Sequence, residues 1–374
     1  MNFELSEIQK QIQQTFKDFV DRRVVPNAQA IDENHEFPQE LFKEVGDLGF
    51  FGMRYPEEAG GTNMDIVSYT LAVIELSRGS LSLAAACTMQ SLMATYFLFR
   101  LGDDEVKSYF NEALKGNKIG GICMTEPNAG SDLFGIQSKA QVMDDGFILE
   151  GQKTWITSAP VADFFTVLAK TDTAEGLSIF FVPAKLKGVK IGKTIEKLGV
   201  RGSVTSEVYF DNVKLPINYL LGKLGDGTKY LTEILAEIRI MTAALSIGVA
   251  TAAFEDALKY AKERKQFGQP IYKFQAIKMK FAEMDVQLQT AKLYTLYAAS
   301  LSDDNKSRRK EAMIAKLYAS ECANSICDIA SRVLASYGYA NDYPLQRYLR
   351  DARFTLIGGG TSQILKINIA KELE

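Results

Sequence analysis

The hydrophobic period of this chain changes twice. From residue 1 to about 118, apolar residues recur at three- and four-residue steps. Between Ile119 and about Leu221 the apolar runs are short and punctuated by turns, and from Gly227 the helical step returns. The first spacing builds one face of a helix and the second builds strands. We therefore read an α+β chain in three parts: an N-terminal helical domain (1–118), a middle β-sandwich or barrel domain (119–223) and a C-terminal four-helix bundle (224–374).

Local signals fill in this frame. Ile8, Ile12, Phe16, Phe19 and Val20 share one helical face, and Pro26 is expected to end that helix. A second helix follows Pro38, with Leu41, Phe42, Val45 and Leu48 on one side. The alanine-rich stretch from Ile66 to Leu101 reads as two buried helices, and Asp103 or Asp104 as the cap of the next. Asp145-Gly146 between Gln141–Met143 and Phe147–Leu149 is a hairpin signal. Phe164–Ala169, Leu177–Pro183 and Ser206–Val213 read as further strands. Ala243, Ile247, Ala250, Phe254, Leu258 and Ala261 form one stripe of a long helix, Gln275–Leu301 and Lys310–Tyr337 are two more, and a short one follows Thr361.

Composition removes several function classes. The formal net charge is −3 over 374 residues, so no broad basic field is available for nucleic acid. A single histidine, His35, and four cysteines without a CxxC pair leave no zinc set and make a His-dependent triad remote. Cys87, Cys123, Cys322 and Cys327 read as buried free thiols in a reducing compartment. The opening residues lack a signal-peptide pattern, and no apolar run approaches the ~20 residues of a membrane span. The expectation is a cytoplasmic protein with no membrane partner and no metal.

Neither a dinucleotide fingerprint nor a phosphate loop occurs. Gly358-Gly359-Gly360 before a helix suits either an anion cradle or a plain turn. The loop Cys123–Gly135 gathers small residues, hydroxyls and two acids after a strand, as a cofactor-wrapping loop or a structural turn would. Trp155, the only tryptophan, stands among hydroxyls in Lys153–Ser158, either as core or as a wall for a planar ring.

Taken together, these segments resemble the acyl-CoA dehydrogenase family. Thr125–Asp132 carries T-E-P-x-x-G-S-D and Thr154–Ser158 carries T-W-I-T-S. Tyr260–Ile271 carries Y-A-x-x-R-x-Q-F-G-x-P-I. Tyr348–Arg353 carries Y-L-R-D-A-R, with G-T-S-Q-I at Gly360–Ile364. The resemblance covers essentially the whole chain. It implies FAD as cofactor and α,β-dehydrogenation of an acyl thioester, with a base taking the Cα proton and the Cβ hydrogen leaving as hydride to flavin N5. It places Met124, Thr125 and Ser131 against the flavin, Trp155 against its ring and Thr157 near N5, with Ser131 also near substrate. It places Arg264, Gln266, Phe267 and Arg332 against the cofactor of a neighbouring subunit, and Thr361 and Gln363 as the last cofactor contacts. The backbone N–H of Gly359 is implied as a donor to the thioester carbonyl, in the manner of an oxyanion hole.

Two departures bear on mechanism. The family's Y-E-G-T reads Gly358-Gly359-Gly360-Thr361 here, so the catalytic carboxylate is absent at Gly359. The alternative family position, just before an arginine matched by Arg239, is Ile238. Glu237 is one residue further back, ~100° around the helix, and is a candidate base or simply a paired or solvated acid. Near Arg332 the family's Q-x-x-G-G reads Arg332-Val-Leu-Ala-Ser. Arg239 is implied in binding the CoA nucleotide, or it pairs with a nearby Glu. The implied activity is acyl-CoA dehydrogenation with an atypically placed base and electrons passing to an electron-transferring flavoprotein. The alternatives are an acyl-carrier-protein dehydrogenase, a flavin reductase, oxidase or monooxygenase, and a non-catalytic subunit. The resemblance implies a homo-oligomer, a dimer or a dimer of dimers.

Overall fold

The computed structural model describes residues 4–301 and 305–373. The N-terminal part is helical: α1 (Glu7–Phe19), α2 (Ala28–Asn34), α3 (Gln39–Asp47), α4 (Ile66–Gly79), α5 (Leu81–Thr88), α6 (Tyr96–Leu101) and α7 (Asp104–Leu114). Ser6 caps α1 in a reciprocal capping box with Gln9, and Asp103 caps α7 by accepting from the Val106 N–H at 3.0 Å. Pro26 does not stop the first helix outright. The chain passes through a π-turn (Val20–Val24) and a 3₁₀ turn (Val25–Asn27) and resumes as α2. Pro26 falls in the first turn of a new helical segment, where its missing N–H costs nothing. A second π segment, Met89–Ala94, separates α5 from α6.

The middle part holds β1 (Gly120–Cys123), β2 (Lys139–Met143), β3 (Gly146–Thr157), β4 (Phe164–Thr171), β5 (Leu177–Pro183), β6 (Val189–Thr194), β7 (Thr205–Pro216) and β8 (Leu220–Leu221). Hydrogen bonds join them into one mixed sheet, in the order β6-β7-β3-β2-β4-β5-β8, with β1 parallel to β4. The β2–β3 hairpin pairs Met143 with Gly146 and Val142 with Phe147 across Asp144–Asp145, one residue earlier than the Asp145-Gly146 turn the sequence suggests, and Gly146 opens β3. Phe164–Ala169 of β4 and Leu177–Val182 of β5 are buried without alternation, so both sheet faces are covered there.

The C-terminal part is α8 (Gly227–Glu263), a small hairpin of β9 (Lys265–Gln266) and β10 (Gln269–Pro270), and α9 (Gln275–Ser300), α10 (Asn305–Leu334), α11 (Leu345–Thr355) and α12 (Ser362–Lys371). α8 packs on α9, α10 and α11, and on α4 of the N-terminal part. Gly248 allows that last crossing, because a Cβ there would lie 2.4 Å from the Ile74 carbonyl oxygen. Ser77 seals it by donating to the Leu245 carbonyl at 2.6 Å. Two helical stretches, Leu81–Leu101 and Gly227–Glu263, are long and apolar enough for a membrane span, contrary to expectation from sequence. Their windows are 83% and 89% buried inside the protein, which accounts for the apolarity.

Candidate active site

The loop after β1 is held from below by a buried ion pair. Lys153 on β3 is fully buried and donates to Glu126 at 2.8 Å, to the Leu168 carbonyl at 2.7 Å and to the Met124 carbonyl at 3.2 Å. Glu126 also accepts the N–H groups of Gln137 and Ser138, at 2.5 and 3.0 Å. Burial lowers the Lys153 pKa and the Glu126 charge opposes that shift. One charge pair thus closes the ends of the Met124–Gln137 loop on β3. The Thr154 N–H adds a bond to the Thr125 carbonyl at 2.9 Å. Lys153 was not a candidate from sequence, because its partner is 27 residues away.

The β3–β7 register slips between Lys153 and Ile156. Trp155 lies in that slip with φ +59°, a conformation rare for a bulky side chain. A bulge of this kind re-aims a side chain, and Trp155 is 57% exposed. The core reading of this tryptophan is therefore wrong, and its indole forms an open planar wall. Thr157 follows it on β3 and is partly buried, as are Met124 and Thr125, while Ser131 is exposed.

A second group lies at the far end of α8. Arg264 follows the last turn of that helix, and Phe267 (φ +52°) turns the β9–β10 hairpin and is 92% exposed. Gln266 is exposed beside it. At 1.5 Å per residue, ~37 Å of helix separates Arg264 from Arg239. Arg264 and Arg239 therefore stand far apart along α8. Arg332 is exposed and pairs with Asp328 one turn back, at 2.8 Å. Ala335, after α10, has φ +52°.

The third group surrounds the glycine run. Gly359 has φ +70°, and a Cβ there would lie 2.8 Å from Thr242 Oγ1 on α8. Lys316 Nζ, on α10, donates to the Gly360 carbonyl at 2.6 Å. Thr361 caps α12 by accepting from the Ile364 N–H, and Gln363 is exposed on its first turn. Glu237 is not brought to this loop. Arg54 Nε binds it at 2.6 Å and Nη2 at 3.4 Å, and both partners are largely buried. Five residues of α-helix also turn it ~140° from Thr242. Arg239, three residues before Thr242, is 6% exposed and its Nε is buried without a partner. No hydrogen bond or ion pair joins it to another described residue, so it is not paired with Glu237. Burial, with Arg309 adding like charge, pushes its pKa down to about 10. Burial pushes Lys316 down to about 8; Glu321 opposes this and the Arg239 charge adds to it. The loop that lacks a carboxylate thus faces buried cations.

The four cysteines are buried and unpaired, and no cluster of metal-ligating side chains occurs among the described residues.

The sequence matches the acyl-CoA dehydrogenase N-terminal domain over residues 6–116, the middle domain over 121–213 and the C-terminal domain over 225–374. This chain belongs to the acyl-CoA dehydrogenase family. It is 54% identical over 375 residues to the benzylmalonyl-CoA dehydrogenase of Aromatoleum aromaticum, covering 100% of both chains. It is 38% identical over 370 residues to CarC, a subunit of the caffeyl-CoA reductase-Etf complex of Acetobacterium woodii, covering 98% of both. Among solved structures, a glutaryl-CoA dehydrogenase from Mycobacterium smegmatis in complex with FADH2 superposes with a TM-score of 0.93 at 31% identity. That match covers 99% of this chain and 95% of the other. The chain is therefore an FAD-dependent oxidoreductase that dehydrogenates the CH–CH bond of an acyl thioester. Its residues fit that cofactor: the exposed Trp155 indole offers a planar wall, and the Met124–Gln137 loop is fixed on the strand beside it.

Proposed function

We propose that this acyl-CoA dehydrogenase oxidises a thioester carrying a carboxylate on Cα, a malonyl-type acyl-CoA such as benzylmalonyl-CoA, and releases CO2. One observation carries this reading. The position facing Thr242 is a glycine, and the nearest side chain on α8 without a protein partner is a buried arginine rather than a carboxylate. A Cα proton has no base to leave to at this loop, whereas a Cα carboxylate needs none. The Cα–carboxylate bond breaks, its electron pair stays on Cα and delocalises into the thioester carbonyl, and CO2 leaves. FAD, which Trp155 and the Met124–Gln137 loop would hold, would supply the two-electron acceptor for the Cβ hydrogen. The product is the α,β-unsaturated thioester with one carbon fewer.

The chain's own groups divide the remaining work. The Gly359 N–H donates to the thioester oxygen as negative charge develops there, and its interaction strengthens in step with the charge. Lys316 holds the loop through the Gly360 carbonyl and so fixes where that N–H points. The Lys153–Glu126 pair keeps the β1 loop and the Trp155 wall in register.

The electron acceptor in this reading is an electron-transferring flavoprotein, in keeping with the Etf complex to which the CarC relative belongs. The working unit is a homo-oligomer, a dimer or a dimer of dimers. Arg264, Gln266 and Phe267 lie too far along α8 from Arg239 to serve the same site in one protomer. Met279, Val286 and Leu293 add a seven-residue apolar stripe on the outside of α9, exposed by 64%, 66% and 50%, the spacing of a helix-packing seam.

Anaerobic loss of flavin absorbance tests the reading. Benzylmalonyl-CoA is expected to bleach the holoenzyme and 3-phenylpropionyl-CoA, which lacks the carboxylate, to do so far more slowly. Equal bleaching by both would refute the decarboxylative route, and bleaching only by an acylated carrier protein would refute the CoA thioester.

A further inference from the structure

We infer that Arg239 is the receptor for the substrate's Cα carboxylate. The inference rests on the decarboxylative reading above and assigns it a residue. An arginine that is 6% exposed, with a buried Nε and no partner among the described residues, is costly unless an anion reaches it. The nearby acids are already engaged. Glu237 binds Arg54, Glu321 accepts from Ser362 Oγ at 2.7 Å, and Glu372 pairs with Arg309 at 3.3 Å. The anion therefore comes from outside the chain.

Its position follows from the helix. Arg239 and Thr242 are three residues apart on α8 and so neighbour one another on its surface. Thr242 is the residue against which a Cβ at 359 would press. The glycine backbone therefore lies against the stretch of α8 that carries the guanidinium. A carboxylate seated there projects from Cα toward the loop, while the thioester oxygen takes the Gly359 N–H. The planar guanidinium fork holds both oxygens of such a group and so fixes the rotation of the bond that must break. Lys316 supplies a second positive charge and is itself tied to the Gly360 carbonyl. Thr242 Oγ1 donates to the Ile238 carbonyl at 2.9 Å, so its hydrogen is committed and its oxygen is not a proton acceptor of useful basicity.

The chemistry separates binding from turnover. The carboxylate is fully charged in the bound substrate and becomes neutral CO2, so the interaction with Arg239 fades along the reaction. Its loss should raise KM without lowering kcat, and kcat/KM should change least. A hydrogen-bonded charge pair contributes ~1.5–3 kcal/mol, which corresponds to roughly 10- to 150-fold in KM.

The test uses the FAD-loaded enzyme and its Arg239→Gln variant with two ligands of the same CoA moiety. Calorimetry gives the affinity for 3-phenylpropenoyl-CoA, which has no carboxylate, and steady-state kinetics gives KM and kcat for benzylmalonyl-CoA. The expected result is a KM raised roughly 10- to 150-fold, with 3-phenylpropenoyl-CoA affinity unchanged and FAD content intact. Arg239→Lys, which keeps the charge and loses the fork, should fall between the two, and it stands in if the Gln variant does not fold. Equal weakening of both ligands would assign Arg239 to the CoA nucleotide and overturn the inference, as would an unchanged KM. If the wild type does not consume benzylmalonyl-CoA at all, the decarboxylative reading itself has failed.

Discussion

Restoring a carboxylate at Gly359 gives the sharpest perturbation of the account. Gly359 sits at φ +70°, so any other L-residue there pays ~1–2 kcal/mol for the left-handed backbone. A Cβ at this position also lies 2.8 Å from Thr242 Oγ1, and overpacking of that kind costs a further ~1–3 kcal/mol. Gly359→Glu alone is therefore destabilised by ~2–5 kcal/mol. Combining it with Thr242→Ala removes the clash and leaves the backbone cost. Relative to Thr242→Ala alone, the double variant gains a general base, which contributes roughly 10²–10⁴-fold to proton abstraction. The assay is the rate of anaerobic flavin reduction by 3-phenylpropionyl-CoA, and the double variant should gain by that range. The new carboxylate also places negative charge beside Arg239, so the KM for benzylmalonyl-CoA should rise as the gain appears. The reasoning is refuted if wild-type protein already oxidises 3-phenylpropionyl-CoA as fast as the double variant, because a base would then exist elsewhere.

Other parts of the structure make separate predictions. Lys153→Met leaves Glu126 buried and unpaired, which should cost ~3–5 kcal/mol in denaturant unfolding; pairing it with Glu126→Gln should recover much of that loss. Arg264→Ala should weaken FAD retention without altering unfolding of the isolated protomer, since Arg264 is exposed at the hairpin base; unchanged retention by equilibrium dialysis would remove it from the cofactor site. Asp351 is pushed up to about 6, chiefly by burial, against a donated Val200 N–H at 2.5 Å. The folded state therefore holds this proton more tightly than the unfolded chain, and stability from this group falls as pH rises from about 4 through about 6. The shift corresponds to ~3 kcal/mol, so Asp351→Asn should flatten the wild-type pH dependence of unfolding by about that amount.

Much of the architecture is legible in the sequence because it rests on local periodicity. The two period changes, the β2–β3 hairpin (turning one residue early, at Asp144–Asp145) and the Asp103 cap depend on residues within one turn or one strand pair, and the structure carries each of them. The expectation at Pro26 fails for the opposite reason: proline is tolerated where a new helical turn begins, and the bend is absorbed by a π-turn before it. Trp155 could be read either way from composition, because its exposure comes from a register slip set by β7. The pairing of Glu237 with Arg54 spans 183 residues, so no spacing rule connects them. Arg239 is the converse case. Its nearest acid in sequence is committed elsewhere, and only the packed structure shows it without a partner.

The most direct measurement is the amount of CO2 released per flavin reduced when benzylmalonyl-CoA is mixed anaerobically with the holoenzyme. One CO2 is expected for each flavin reduced, with no comparable bleaching by 3-phenylpropionyl-CoA. Flavin reduction without CO2, or equal reduction by the thioester that lacks the carboxylate, would contradict it.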